Sequence, residues 1–494
     1  MALPTAPAVV CLYLTMIAGV SLSFIYAFIP FMVVSFPELG LESQAQAGFW
    51  SGLLGAAYAL GQAALLPFWG SMADKYGYRP IISIGLFASI VCLIAFPLAP
   101  TFALSVMVRL VHGGLNGIHA VVKAYICVIA GDDGQVDAIA LYAFGQSAGF
   151  VLGPLVGGLL ADPAKQYNWR GKFWQDNPYL LPCAVTSMAH LVSLLLVFRY
   201  LYEPQITRHQ YDLPVKPHVV DLSLPDPQHP ASQSEDTAAS EATALLPRPL
   251  PPKPSVEAEV CGQFPRAETL GFWDIFGLRA VFLTSMMYGL VGLVQSMNQE
   301  VLPLWGAAPL NTGGLQFSSA HIGILNSATG FAYSVFQLLL FPRMCRAQGA
   351  TRIYAGGALC YCPAILLQGC AGPLLRISPA LAWALLLLTE MMKGICMASA
   401  YASVLLLINH TVEAQYSGTV NGISQSFAST ARALGPLLGG ITFAATATGH
   451  RPFPFNWYFS FILPALIMFE AYHLVEKCPK SLDRPLGSEN GEGS

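Results

Sequence analysis

The sequence predicts an all-α membrane protein in which twelve transmembrane helices form two pseudosymmetric six-helix bundles, and three observations carry that expectation. The first is composition: 54% of the 494 residues are hydrophobic and only 10% charged, with a mean hydropathy of +0.55. A soluble domain carries about 25% charged residues, so this much apolar surface calls for lipid. The second is spacing. Apolar stretches of about 20 residues, the length that crosses a bilayer, begin near Ala8, Ala47, Pro80, Phe102, Val136, Pro178, Leu278, Ser319, Arg352, Leu381, Gly418 and Phe455, six on each side of a long polar stretch. The third is internal repetition. Gly149-Phe150-Val151-Leu152-Gly153-Pro154-Leu155-Val156-Gly157-Gly158 is nearly copied as Gly435-Pro436-Leu437-Leu438-Gly439-Gly440 at the matching place of the second half. Duplicated halves around a central path are a recurring build of secondary transporters.

The elements follow in order. The run from Ala6 to Phe36 has no basic n-region and is too long for a signal-peptide core, so it reads as a retained first span. After the second span, the turn from Trp69 to Pro80 holds two glycines for a tight reversal and Asp74, which can pair with a base or cap a helix. Arg109, His112 and Asn116 lie in the fourth span, where a charge is costly unless it meets a wet cavity or a partner. An inward-facing Arg109 held by a carbonyl or an Asn is the structural alternative. His119 and Lys123 follow, the latter able to snorkel to the interface. In the fifth span Gly149, Gly153, Gly157 and Gly158 form one bare helix stripe that lets a neighbour approach closely, and Pro154 introduces a bend.

Residues 1–200 are thus assigned to a first bundle, 201–272 to a cytosolic linker, 273–476 to a second bundle and 477–494 to a cytosolic tail. The linker is rich in Pro, Ser, Asp and Glu without a hydrophobic period, so it is expected to be disordered. Within it, Glu241 with Leu245 and Leu246 fits the acidic dileucine pattern read by vesicle adaptors, an address rather than an anchor. That favours an endolysosomal or vacuolar membrane, with the plasma membrane as the alternative.

The second half brings Gln295, Asn298 and Glu300 at the end of the seventh span, then Glu390 and Lys393 in the tenth, three residues apart and able to pair on one helix face. Glu300 lies toward the luminal end, where a buried acid is a proton carrier and a solvated one is inert. Basic residues such as Lys75, Arg79, Arg199, Arg343, Arg346 and Lys477 gather on one side, which is expected to be cytosolic together with both termini and the linker.

Several functions are excluded. Cysteines such as Cys92, Cys183 and Cys396 sit inside apolar runs and act as small hydrophobes, and Cys360 with Cys362 lacks the spacing and partners of a zinc site, so no metal and no cofactor is expected. A net charge of -3 with scattered bases gives no footprint for nucleic acid. No nucleophile, base and orienting group converge, so the chain is not read as an enzyme.

The turn after the second span resembles the major facilitator superfamily, whose signature there runs Gly, Ala-Asp, base, x, Gly, x, base. The resemblance implies a conformational-switch element at Gly70, Asp74, Lys75, Gly77 and Arg79 that locks the cytoplasmic ends in one state and releases them in the other; Met72 and Tyr78 depart from it. It also implies that Arg109 and Gly113, as Arg-x-x-x-Gly, are tied to proton transfer, and that the Gly149 to Gly158 pattern with Pro154 marks antiporters. Segments such as Ile29-Pro30-Phe31, Gly313-Gly314, Asn409-His410 and Asn421-Gly422 make nearly the whole chain outside the linker similar to the zinc-induced facilitator-like branch of the drug:proton antiporter group. There Glu300 matches an acid and Arg432 a basic position, whereas the branch's cytosolic cysteine segment before the first span has no counterpart.

Together these readings imply a transporter that moves a small organic solute by alternating access, in exchange for protons. Its partners would be the lipid bilayer, the solute, protons and, through the dileucine, a vesicle adaptor. A cavity with Arg109, Lys393 and Arg432 set against Glu300 and Glu390 would suit a zwitterion, an organic anion or a metal chelator. A facilitative uniporter of the same fold and a non-transporting membrane receptor or scaffold are the alternatives.

Overall fold

In a computed structural model, the structure describes residues 5–203, 276–411, 417–447, 452–479 and 482. The first half comprises α1 (Thr5–Ser23), α2 (Gly48–Tyr76), α3 (Tyr78–Ala95), α4 (Phe102–Leu115), α5 (Ile118–Leu160) and α6 (Leu180–Tyr200). The second comprises α7 (Arg279–Ala307), α8 (Ser319–Val335), α9 (Ala350–Gly369), α10 (Pro379–Asn409), α11 (Ser417–Ala447) and α12 (Phe459–Glu476). Each expected span is occupied by helix. Glu241, Leu245 and Leu246 lie outside the described residues, as does nearly all of the expected linker and tail.

Local chemistry sets the breaks. One residue reverses the chain between α2 and α3: Gly77, at φ 97°, a conformation open to glycine alone. The second half repeats the device, because Gly349 at φ 84° joins the helix Phe341–Gln348 to α9. Thr101 Oγ1 accepts from the Leu104 amide to start α4, and Ser378 does the same for α10 at Leu381. The fourth span is broken at residues 116 and 117 and resumes as the start of α5. A straight helix as long as α5 would extend about 65 Å, yet His119 and Gln146 are side-chain neighbours. Helical backbone therefore doubles back within α5, which supplies the end of the fourth span and the whole of the fifth.

Packing repeats as the sequence does. Gly113 seats against the Tyr58 carbonyl of α2, and Gly394 against the Thr329 carbonyl of α8. Gly149 and Gly157 lie on the backbone of α1 and the turn after it, while Gly435 and Gly439 lie on α7. The last glycine of each stripe points the other way: Gly158 meets Ser319 and Gly323 of α8, and Gly440 meets Gly48 and Gly52 of α2. Each copy of the pattern thus binds its own half with one face and the opposite half with the next. Apolar side chains on the outside, such as Phe87 and Val91 of α3 and Leu195 and Phe198 of α6, remain exposed, as a lipid-facing belt requires.

Candidate functional site

Two helix pairs form the seam between halves, α2 with α11 and α5 with α8. On the first pair Gly48 and Gly52 abut Gly440 and Pro436; on the second, Gly158 and Gly330 abut α8 and α5 backbone in turn. Glycine is needed because a Cβ at any of these places would strike a carbonyl of the other half. Hydrogen bonds reinforce the second pair: Ser327 Oγ donates to the Val151 carbonyl at 2.8 Å and Ser319 Oγ to the Gly158 carbonyl at 3.2 Å. Gln166 Nε2 donates to Ser319 Oγ at 3.0 Å. All these contacts lie toward the membrane face opposite Gly77 and Arg79, here called the far face.

Glu300 stands beside this seam. It projects from α7 near the far face, is 1% exposed, and neither carboxyl oxygen has a hydrogen-bond partner. Its surroundings come from three further helical segments: Gly55 and the Ser51 hydroxyl of α2, Pro436 of α11, and Tyr26 in the turn after α1. Ser51 Oγ lies beside the carboxyl and acts on it without forming a well-aligned hydrogen bond. A buried acid with no ion-pair partner among the described residues is a functional-site signal, since burying it as the anion is strongly unfavourable.

Tyr26 also neighbours Arg109 and Tyr58. Arg109, on α4, is 2% exposed and lies over the Tyr58 ring at 4.7 Å and the Phe96 ring at 5.7 Å. Its Nε has no hydrogen-bond partner, and no carboxylate pairs with it among the described residues. One turn on, His112 stacks edge-on against Tyr58 and its Nε2 lies 3.2 Å from Ser89 Oγ. Asn116 is held in the break of the fourth span rather than in the cavity: its amide donates to Ser89 Oγ at 3.3 Å and its Oδ1 accepts from the Ile118 amide at 3.2 Å.

Glu390 and Lys393 form the ion pair their spacing predicts, at 2.8 Å, with exposures of 0% and 1%. Four helices saturate it. Glu390 accepts from Thr329 Oγ1 of α8 and Gln368 Nε2 of α9, while Lys393 donates to Gln368 Oε1 and to Asn298 Oδ1 of α7. All three protons of Lys393 are used, and Glu390 accepts three hydrogen bonds, so the pair is largely committed within the protein. The single mixed-charge cavity expected from the sequence is thus divided: Glu300 lies in the seam, Arg109 among aromatic rings, and Glu390 with Lys393 in a closed network.

Arg432, on α11, occupies a different setting. It is half-buried, and its guanidinium reaches Tyr401 Oη at 3.5 Å and Ser429 Oγ at 3.4 Å. Tyr288 packs edge-on against Tyr401, with ring centres 5.4 Å apart, and donates to Gln425 Oε1 at 3.2 Å. From the first half, His119 and Tyr142 are electrostatic neighbours of Arg432. Half-buried Gln295 lies one turn from Gly292, whose bare face meets Tyr401 and Arg432. Here residues of both halves gather around one cation whose contacts are neutral hydroxyls.

The switch element sits at the opposite end. Gly70 and Asp74 lie in the last turns of α2, with Asp74's side chain outside the described set; Lys75 is exposed over the Tyr76 ring. Arg79 Nη2 donates to the Phe198 carbonyl of α6 at 2.7 Å. Sequence reasoning missed Glu203, whose carboxylate accepts from the Tyr78 and Arg79 amides at 3.0 and 2.6 Å and so caps α3. It also missed Tyr26, Tyr58, Tyr288, Tyr401, Thr329 and Gln368. A tyrosine in an apolar span was the available signal, since a buried hydroxyl usually finds a polar partner, although that of Tyr58 has none.

Fold and site define a membrane carrier of duplicated halves, and the comparisons agree. The family model described as Major Facilitator Superfamily matches residues 11–294, and the chain belongs to that superfamily of transporters. It is 27% identical over 432 residues to Protein ZINC INDUCED FACILITATOR-LIKE 1 of Arabidopsis thaliana, covering 86% of this chain and 80% of that one. It is 24% identical over 436 residues to the Major facilitator superfamily multidrug transporter mfsB of Aspergillus fumigatus, covering 79% and 71%. Among solved structures, a D-xylose-proton symporter superposes with a TM-score of 0.68 at 14% identity, covering 98% of this chain and 100% of that one, a likeness of fold.

Proposed function

We propose that this transporter moves a small organic solute in exchange for protons, with Glu300 carrying the proton. The observation that supports this most is the unpartnered carboxyl of Glu300, 1% exposed, at the seam between the halves. The far-face seam closes over a neutral carboxyl at little cost, whereas closing over the anion would bury an uncompensated charge. Opening wets Glu300 and lets it exchange its proton with the far compartment. Tyr26, between Glu300 and Arg109, brings the same change to the fourth span. The multidrug assignment of a relative supports an organic solute. The dileucine-type sequence at Glu241, Leu245 and Leu246 supports an acidic endolysosomal or vacuolar membrane, with a vesicle adaptor as its reader.

The test uses purified full-length protein in pyranine-loaded proteoliposomes with a panel of anionic, zwitterionic and cationic solutes. Wild type should release protons when a transported solute is added, and Glu300→Gln should abolish that signal while solute counterflow at equal pH continues. Unchanged proton release in Glu300→Gln would remove Glu300 as carrier. Solute flux with no proton movement in the wild type would instead establish the facilitative uniporter.

A further inference from the structure

We infer that the space around Arg432 selects a monovalent aromatic anion, an arylcarboxylate or aryl sulfate, as the transported solute; this deepens the transporter reading and rests on it. Charge comes first. The guanidinium of Arg432 contacts neutral hydroxyls, those of Tyr401, Ser429 and Tyr288, and no carboxylate pairs with it among the described residues. Glu390 is committed to Lys393, and Glu300 is enclosed by the seam. Among the described residues a zwitterion or an organic cation therefore meets no free acid here, while an anion meets an arginine with donors still available. The fork of the guanidinium fits two oxygens of one carboxylate or sulfate. A dianion would need a second free cation, and Lys393 has already used its three donors on Asn298, Gln368 and Glu390.

The rings give the rest of the solute its character. Tyr288 and Tyr401 meet at 83°, leaving ring faces and edges beside the cation, and Tyr333 and Tyr142 are their neighbours from α8 and α5. Such a group holds a planar ring by offset or edge-on contact. Opposite, His119 and Gln146 of the first half are side-chain neighbours of each other, and His119 Nε2 and Gln146 Oε1 make no well-aligned hydrogen bond. These two atoms are where the far side of a solute would be hydrogen-bonded, so that one molecule bridges both halves. Gly292 lies against Tyr401 and Arg432, so the bare face of α7 backs this group.

Equilibrium binding to the purified full-length protein tests this, using 2-naphthoate, the neutral 2-naphthamide, the cationic 2-naphthylmethylamine and the non-aromatic cyclohexanecarboxylate. Naphthoate should bind at least about tenfold more tightly than each of the others, a difference of about 1.4 kcal/mol. Arg432→Gln should erase the preference for naphthoate over naphthamide, Arg432→Lys should keep part of it, and Tyr401→Phe should keep the charge preference with weaker binding. Monodisperse gel filtration and an unchanged melting point check that each variant is folded, and the wild-type panel needs no variant at all. Equal or tighter binding of the amide or amine, no naphthoate binding, or unaltered naphthoate affinity in Arg432→Gln would each overturn the inference. Binding needs no gradient, so selective binding without proton exchange breaks only the coupling, and proton-driven uptake of cations breaks only the anion site.

Discussion

Arg109 and Glu390 occupy corresponding places in the two halves, each four residues before a glycine that seats on the neighbouring helix, yet they are treated in opposite ways. Glu390 is neutralised by Lys393 and bonded by Thr329 and Gln368. Arg109 has aromatic faces and, among the described residues, no carboxylate in an ion pair with it. A buried charge that is fully paired is a fixed part of the scaffold, whereas one that is not responds to any charge that appears nearby. The first half is the responsive one at this level, and Tyr26 places Glu300 of the second half within its reach.

The largest way to break that contrast is Lys393→Met, which strands the Glu390 carboxylate at 0% exposure. It should destabilise the protein by about 3–5 kcal/mol, read as a lowered thermal midpoint in detergent. The double variant Glu390→Gln with Lys393→Met should recover most of the loss; a double variant as unstable as the single would mean the pair is not the source. Arg109→Gln should do the reverse, leaving the thermal midpoint nearly unchanged because cation–π contacts worth about 2 kcal/mol are offset by release of an unpaired buried charge. Solute-triggered proton release should nevertheless fall roughly tenfold, equivalent to about 1.4 kcal/mol. A variant that unfolds but transports normally per folded molecule would reverse the roles assigned to the halves. The smallest effect compares the matched turns. Gly77→Ala and Gly349→Ala both force a side chain into positive φ at about 1–3 kcal/mol, but at Gly77 the Cβ also displaces the Glu203 cap. Gly77→Ala should therefore be worse by about 1 kcal/mol, measured as a difference in melting.

Much of the fold was legible in the sequence because it depends on segment length and on glycine. Twenty apolar residues can do little but span, and the copied stripe at Gly149 and Gly435 announced the repeat that the packing of Gly113 and Gly394 bears out. The Glu390–Lys393 pair was legible too, since helical spacing alone brings the two together. What could not be read was which charges share a space. Whether Arg109 meets Glu300 or a ring depends on α2, α4 and α7 crossing at one depth, and nothing along the chain encodes that depth. Tyr288 and Tyr401 looked like ordinary core residues for the same reason, and Glu203 was unremarkable until α6 laid it against the start of α3.

The two sides of the seam are unequally fastened. Ser327 and Ser319 of α8 donate to α5 carbonyls and Gln166, in the segment after α5, donates to the Ser319 hydroxyl, whereas the described glycines of α2 meet Gly440, Pro436 and Ala444 of α11. Parting the latter would separate closely approached glycine backbones, whereas parting the former would also break those hydrogen bonds. The carboxyl of Glu300 stands on the α2–α11 side, against Gly55 and beside Pro436.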